Sequence, residues 1–329
     1  MRRKRAIFGA AVAALAVGAA IGGGYLIHRS PGAAPTAGTA GTVPNSAAPD
    51  PGTAFVGDTS GTLSSIDLAT GKIEDGLVAS LGFLNNVQSI AISPETLNLY
   101  AVFYTQTVSL NGTPGPTSLV EVGLGQGSGV PPVTPIRLTS DPTAIAITPD
   151  GLSAYVTTVV GTVMPINLTT DTAGAPIRVG DDPVAIAITP NGKTAYVVNG
   201  VDDPGTGTVI PVDLATGEPG KPIPAGDDPV AIAITPNGKT AYVVNGVING
   251  LGGGTLTPIA LGTDTPGAPI PVGGNPVAIA IALDGKSAYV VDEGEVGGTV
   301  TPITLGTDKP GPPIRLDLQD PDAIAIASP

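Results

Sequence analysis

The side chains able to do chemistry in this 329-residue chain are few, and most of them are carboxylates. There is no Cys and one His, His28, so a cysteine nucleophile, a thiolate metal site, a disulfide framework and any His-based triad are excluded. No G-x-S-x-G nucleophile elbow occurs either. What remains is oxygen chemistry. Asp141, Asp182, Asp228 and Asp320, joined by Asn86 and Asn275, each stand directly before a Pro in a repeated segment, with Val87 replacing that Pro after Asn86. Four carboxylates and two amides are hard donors suited to Ca²⁺. The same residues equally suit an Asx turn that caps the entry to a strand, and no Asp-x-Asp-x-Asn-Gly calcium loop is present. Adjacent carboxylates such as Asp181 and Asp182 make a poor acid–base pair, because consecutive side chains on extended backbone point apart. No catalytic residue is expected.

The elements that position these residues come from an internal repeat. Asp181–Gly200 reads DDPVAIAITPNGKTAYVVNG, and Asp227–Gly246 is the same twenty residues; weaker copies lie around Asp141–Thr157 and Asn275–Asp292. An aromatic recurs at Phe55, Tyr100, Tyr155, Tyr196, Tyr242 and Tyr289, at spacings of 41 to 55 residues. With 47 Gly and 35 Pro, long helices are improbable. A hydrophobic content of 42% nevertheless demands a folded core. A period in the forties without helical patterning predicts an all-β chain of four-stranded propeller blades.

One unit parses into strand A at 184–188, a Thr-Pro-Asn-Gly hairpin turn at 189–192 and strand B at 194–198. Strand C follows at 208–214, and an outer strand D near Pro222–Pro224. Prolines suit D because an edge strand can lose ladder hydrogen bonds. Each strand class has six members, which predicts a β-propeller of six blades; a strand set missed in the irregular 72–118 region would make seven. The repeat region, 54–329, starts on a B strand and ends on an A strand at 323–327, so three strands from one end and one from the other complete a blade and leave no open edge.

Ahead of the repeats, Arg2-Arg3-Lys4-Arg5 precedes 22 uncharged, mostly apolar residues, Ala6 to Ile27. As a helix this run reaches ~33 Å, enough for a hydrocarbon core, with the basic end held in the cytoplasm. Residues 1–28 therefore read as a signal-anchor, or as a cleaved signal peptide given the small residues Gly18 and Ala20. Residues 29–53, rich in Pro, Ala, Gly and Thr, read as a flexible linker. The propeller is then placed outside the cytoplasm, on the membrane or secreted.

The net charge is −13. Positions 1–53 carry five basic residues and one acidic, so the repeat region holds 9 Lys and Arg against 26 Asp and Glu. A nucleic-acid partner is not expected. Strand order puts A-to-B and C-to-D turns on one face, called lower, and D-to-A and B-to-C loops on the other, called upper. Lys72, Lys193, Lys221, Lys239, Lys286 and Lys309 all fall on or near the lower face, either turning a lysine-bearing side to an anionic membrane or simply keeping the hairpin turns soluble. Phe83, Phe103 and Tyr104 are the aromatics outside the repeat position. They cluster on the upper side of one blade, either as a partner-binding patch or packed beneath the long 105–117 insertion.

Tyr196-Val197-Val198-Asn199 and Tyr242-Val243-Val244-Asn245, each preceded by a Pro-x-x-I-A-I-T-P-x-G-K segment in the repeat, resemble the YVTN-repeat β-propeller family over 54–329. The resemblance implies an exported or surface-exposed propeller related in fold to lactonase-like propellers. Family members usually have seven blades, so six departs from the pattern. The function expected is a membrane-tethered binding or scaffold module that meets a protein or glycan of the cell envelope. The alternatives are a lactonase-like hydrolase and a structural surface-layer component.

Overall fold

A computed structural model describes strands between Leu26 and Val122 and, apart from 201–205, 247–252, 283 and 294–297, residues 136–315. Phe83, Asn86, Tyr104, Asp320, most of the expected anchor and linker, and the expected strand at 323–327 lie outside the described residues, as does the side chain of Phe103. The described chain is all-β, and among its residues no helix is long and apolar enough to cross a membrane.

Six sheets follow one another along the chain. The fourth shows the plan: A is Pro183–Ile188, B Thr194–Asn199, C Thr206–Asp213 and D Ile223–Asp227, paired antiparallel in that order. The third, fifth and sixth sheets repeat it with A strands at Pro142–Ile147, Pro229–Ile234 and Pro276–Ile281. The second does so with Val87–Ile92 as A. Successive A strands from the second sheet to the sixth lie side by side, so the sheets radiate from them. This is a β-propeller-like arrangement.

The first sheet differs. Its strands Thr53–Asp58, Leu63–Asp67 and Lys72–Glu74 take the B, C and D places, and the A edge is filled by Leu26–Arg29, running parallel with Leu26 opposite Phe55. The apolar run expected to be helical through Ile27 is thus a strand at its last two residues. An open edge satisfies its backbone donors with a segment from its own chain.

Each inner strand is apolar on both faces for a reason visible in the packing. Ala144 and Ala146 share a buried cluster with Ile186 and Ile188 of the next sheet, and Ala185 and Ala187 with Ile232 and Ile234. Ala231 and Ala233 likewise meet Ile279, and Ala91 meets Ile145 and Ile147. From the second sheet to the fifth, each offers a small face, carrying its repeat tyrosine, to the large face of its successor. Burial of each isoleucine in such a seam contributes about 1.5–3 kcal/mol.

The outer strand breaks at a fixed place. Pro165, Pro211, Pro258 and Pro302 sit in strand C, where their carbonyls accept the N–H of Gly174, Gly220, Gly267 and Gly311 at 2.7 Å. In antiparallel backbone a residue's N and carbonyl face the same neighbour, so the missing proline donor faces D. Strand D accordingly splits, as at Thr172–Ala173 and Ile177–Arg178, both paired with the same C strand. Glycine is required here because a Cβ on Gly220 would lie 2.8 Å from Cγ of Pro211.

The repeat tyrosine proves to be more than core. Tyr242 donates to Oδ1 of Asp308, 2.8 Å away in the C-to-D turn of the next sheet, and Tyr196 donates to Asp264 at 3.1 Å. Asp264 and Asp308 hold positive φ of 51° and 53°, a backbone that Asp tolerates better than most residues. Burial first, then the facing carboxylate, pushes both phenols well up from the usual range. Between the third and fourth sheets the equivalent turn position is Gly217, so Tyr155 is offered no carboxylate there. Tyr242→Phe is expected to cost about 1–2 kcal/mol in denaturant unfolding and Tyr155→Phe distinctly less; equal losses would show that the ring, not the hydroxyl, carries the effect.

Candidate binding face

The two faces are built differently. On the lower face the A-to-B turn of the fourth sheet closes on itself: the Thr189 hydroxyl donates to Asn191 Oδ1 and receives the Thr194 N–H, while Asn191 Oδ1 also accepts from the Lys193 N–H. Thr235 and Asn237 repeat the arrangement. The adjoining C-to-D turn is tied to it by the Leu214 N–H donating to the Lys193 carbonyl. Asp213 Oδ1 is spent on the Ala215 and Thr216 N–H groups and the Thr216 hydroxyl, which hold its carboxyl below the usual range, the Thr216 N–H most strongly.

The lower face is not basic. Lys193, Lys221, Lys239, Lys286 and Lys309 are exposed there, but the same turns carry Asp150, Asp171, Asp213, Glu218, Asp264, Asp284 and Asp308. Among the described residues five lysines meet seven carboxylates, which corrects the expected cationic side. The aspartates that form these turns offset the lysines beside them. An anionic membrane gains nothing from such a surface.

On the upper face the A strands begin. Asp141, Asp182, Asp228 and Asn275 each accept, through their backbone carbonyls, the N–H of the residue that opens the B-to-C loop: Val159, Gly200, Gly246 and Glu293. The side chains diverge in their surroundings. Asp141 and Asn275 are exposed, while Asp182 and Asp228 are half-buried against Gly200 and Gly246. Asn275 donates to Glu293 Oε2 at 3.0 Å. Among the described residues no three His, Cys, Asp or Glu side chains come close enough to hold a metal ion. At the outer margin Arg178 pairs with Asp181 and donates to the Val160 carbonyl, beneath the exposed Val159 and Val160 of a tight loop.

Just below these loops lies a row that the spacing of the acidic residues did not reveal. Strand B ends on Asn199, Asn245 and Asp292 in successive sheets, all buried, and each has an Oδ1 without a hydrogen-bond partner. Asn199 Nδ2 donates to the Val179 carbonyl at 2.8 Å, and Asn245 Nδ2 to Thr257 Oγ1 at 2.9 Å. Each side chain packs on a glycine of the D-to-A loop: Gly180, Gly226 and Gly273. The signal available was the final Asn of each Tyr-Val-Val-Asn run, which becomes Asp at 292.

Comparison with known proteins shows a fold. No protein-family model matches the chain, and no curated protein does. Among solved structures, hydrazine synthase of Kuenenia stuttgartiensis is similar at a TM-score of 0.59 and 22% identity, over 73% of this chain and 69% of that one. A functionally unknown protein of Desulfotomaculum acetoxidans is similar at 0.62 and 16% identity, over 85% of this chain and 87% of that one. These similarities support the β-propeller-like fold and carry no activity with them.

The glycines of the buried row allow a direct check. A Cβ at Gly226 would lie 2.6 Å from Asn245 Nδ2, at a φ of +116°. Gly226→Ala is expected to lower stability by about 2 kcal/mol or more, from overpacking and backbone strain together. Gly262→Ala, with nothing within 4 Å of its Cβ, provides the comparison and is expected to change thermal stability little.

Proposed function

We propose that the chain is a membrane-tethered, extracytoplasmic β-propeller that acts as a binding or scaffold module, with the upper face as its contact surface. One observation carries the reading. The last four A-to-B turns have the same length, five residues between strands, whereas the B-to-C loops run from three residues after Thr158 to fourteen after Phe103. In these four sheets an A-to-B turn of constant length sits on one face and B-to-C loops of three to eight residues on the other, an arrangement by which a rigid scaffold presents binding residues. The expected partner is a protein or glycan of the envelope.

The finer architecture belongs to the same proposal. We read six blades, supported by the six sheets, with 323–327 taking the inner place of the first sheet from Leu26–Arg29 when the ring closes. Ala278 and Ala280 form the small face of the sixth sheet. The next Ile pair in the repeat is Ile324 and Ile326. Tyr289 and Val300, on the sixth sheet, are half-exposed where Tyr242 and Leu256 are buried, consistent with a seam awaiting that strand. The apolar run from Ala6, preceded by four basic residues, supports the anchor.

Pull-down from intact envelopes tests the function. Replacing 201–205 and 248–252 by Gly-Ser chains is expected to abolish capture of a specific partner, and Lys193→Ala with Lys239→Ala to leave it intact. Capture lost with the lower-face pair, or kept by the loop variant, would overturn the assignment. Turnover on a lactone panel, lost on replacing Asp182 and Asp228, would instead establish the hydrolase. Because the chain has no Cys, a single Lys239→Cys labelled by a membrane-impermeant maleimide on intact cells reads the topology directly.

A further inference from the structure

We infer that Asp292 is a proton-operated latch that fastens the end of strand B in the sixth sheet to the preceding D-to-A loop when neutral and releases it when ionised. The inference does not depend on what the upper face binds.

Asp292 is 4% exposed and closes strand B. Its Oδ2 accepts from the Thr301 and Thr299 hydroxyls at 3.2 and 3.4 Å, and its Oδ1 has no partner. Among the described side chains around it none brings a compensating charge; on strand D Arg315 stands opposite Thr299, its side chain outside the described residues. Strand C contributes Thr299 and Thr301, the D-to-A loop contributes Val272, Gly273, Gly274 and Asn275, and the neighbouring Glu293 is engaged with Asn275. Arg178 is engaged with Asp181. A carboxylate left buried without a cation is costly in its charged form.

The repeat shows what a donor at this position can reach, although Asn245 of the fifth sheet gives its own to Thr255 and Thr257. At the same place in the fourth sheet Asn199 carries a donor, and that donor bonds the Val179 carbonyl of the preceding D-to-A loop. Val272 is the counterpart carbonyl for Asp292. It is reached at 3.3 Å only by Thr301 Oγ1, whose single proton also serves Asp292 Oδ2. The ionised carboxylate therefore competes with Val272 for one hydroxyl. A proton on Asp292 removes the competition: the acid gains an O–H donor, as the Asn amide has, and the Thr301 proton is free for Val272.

Burial, opposed by the two threonine hydroxyls, raises this carboxyl from 3.8 to about 6. Between those values the folded chain binds a proton that the unfolded chain does not. The contribution to stability therefore grows as pH falls from about 6 and is complete below 3.8.

Two measurements on the full chain test the latch. Carboxyl ¹³C NMR should show Asp292 titrating near 6; a midpoint near the ordinary 3.8 would overturn the inference. The Glu293 N–H, which donates to the Asn275 carbonyl at 2.9 Å, reports the loop root. Its hydrogen exchange, corrected for intrinsic rate, should slow about tenfold or more from about pH 7.5 to about pH 5 in the wild type. Asp292→Asn should be slow at both. The same pH dependence in Asp292→Asn would place the switch elsewhere and sink the assignment, and the wild-type titration stands even if the variant fails to fold.

Discussion

Nearly everything in this structure depends on sheets that have no solvent face. A sheet exposed on one side alternates apolar and polar residues along each strand; here Ala185, Ile186, Ala187 and Ile188 are all 6% exposed or less. Two burial surfaces per strand must then be matched to two different neighbours. The solution is a small face against a large one, with Ala185 and Ala187 receiving Ile232 and Ile234 from the next sheet. Because the same rule holds at every junction, the unit can be copied without redesign. Two adjacent sheets accordingly share twenty identical residues.

That constraint decides where polar groups can go. Inside a seam they must be paired or they destabilise it, and the seams contain few: Thr143 bridges to the Pro183 carbonyl at 2.6 Å, and the tyrosine hydroxyls reach the next turn. The tyrosine contact recurs from sheet to sheet across a seam. It gives register to surfaces that would otherwise slide, since apolar packing is not directional. An aspartate at positive φ serves as acceptor because the turn already needs a left-handed residue there.

The period, the inner strands and the Asn-Gly turns were legible in the sequence because each leaves a local mark: alternation with no polar phase, an aromatic every forty-odd residues, and a turn dipeptide. Strand B was placed to within one residue, ending at Asn199 rather than Val198. The split of strand D was not read, although the prolines of strand C were in view, because it depends on which neighbour the missing donor faces. The tyrosine latch needed the distance between residues 66 positions apart. Of the candidate site, the described Asp141, Asp182, Asp228 and Asn275 stand in order before their A strands. What spacing could not say is that Asp141 is exposed while Asp182 is half-buried. The buried Asn199, Asn245 and Asp292 row went unseen because a polar residue ending a strand reads as the start of a loop.

The same constraint points to the upper loops as the part of the molecule free to specialise. A substitution within a seam must satisfy the sheet before and the sheet after, so seam residues are held to a narrow choice by packing. The lower turns are nearly as restricted, since Thr189, Asn191 and Asp213 spend their side chains on the turns themselves. The B-to-C loops are bound only at their roots, through a residue such as Gly200 bonded to Asp182. Their length changes nothing in the seams beneath. Asp292 is the exception that joins the two regimes: it is buried like a seam residue, yet it stands at a loop root, so a change in its charge is felt on the one face where the chain varies.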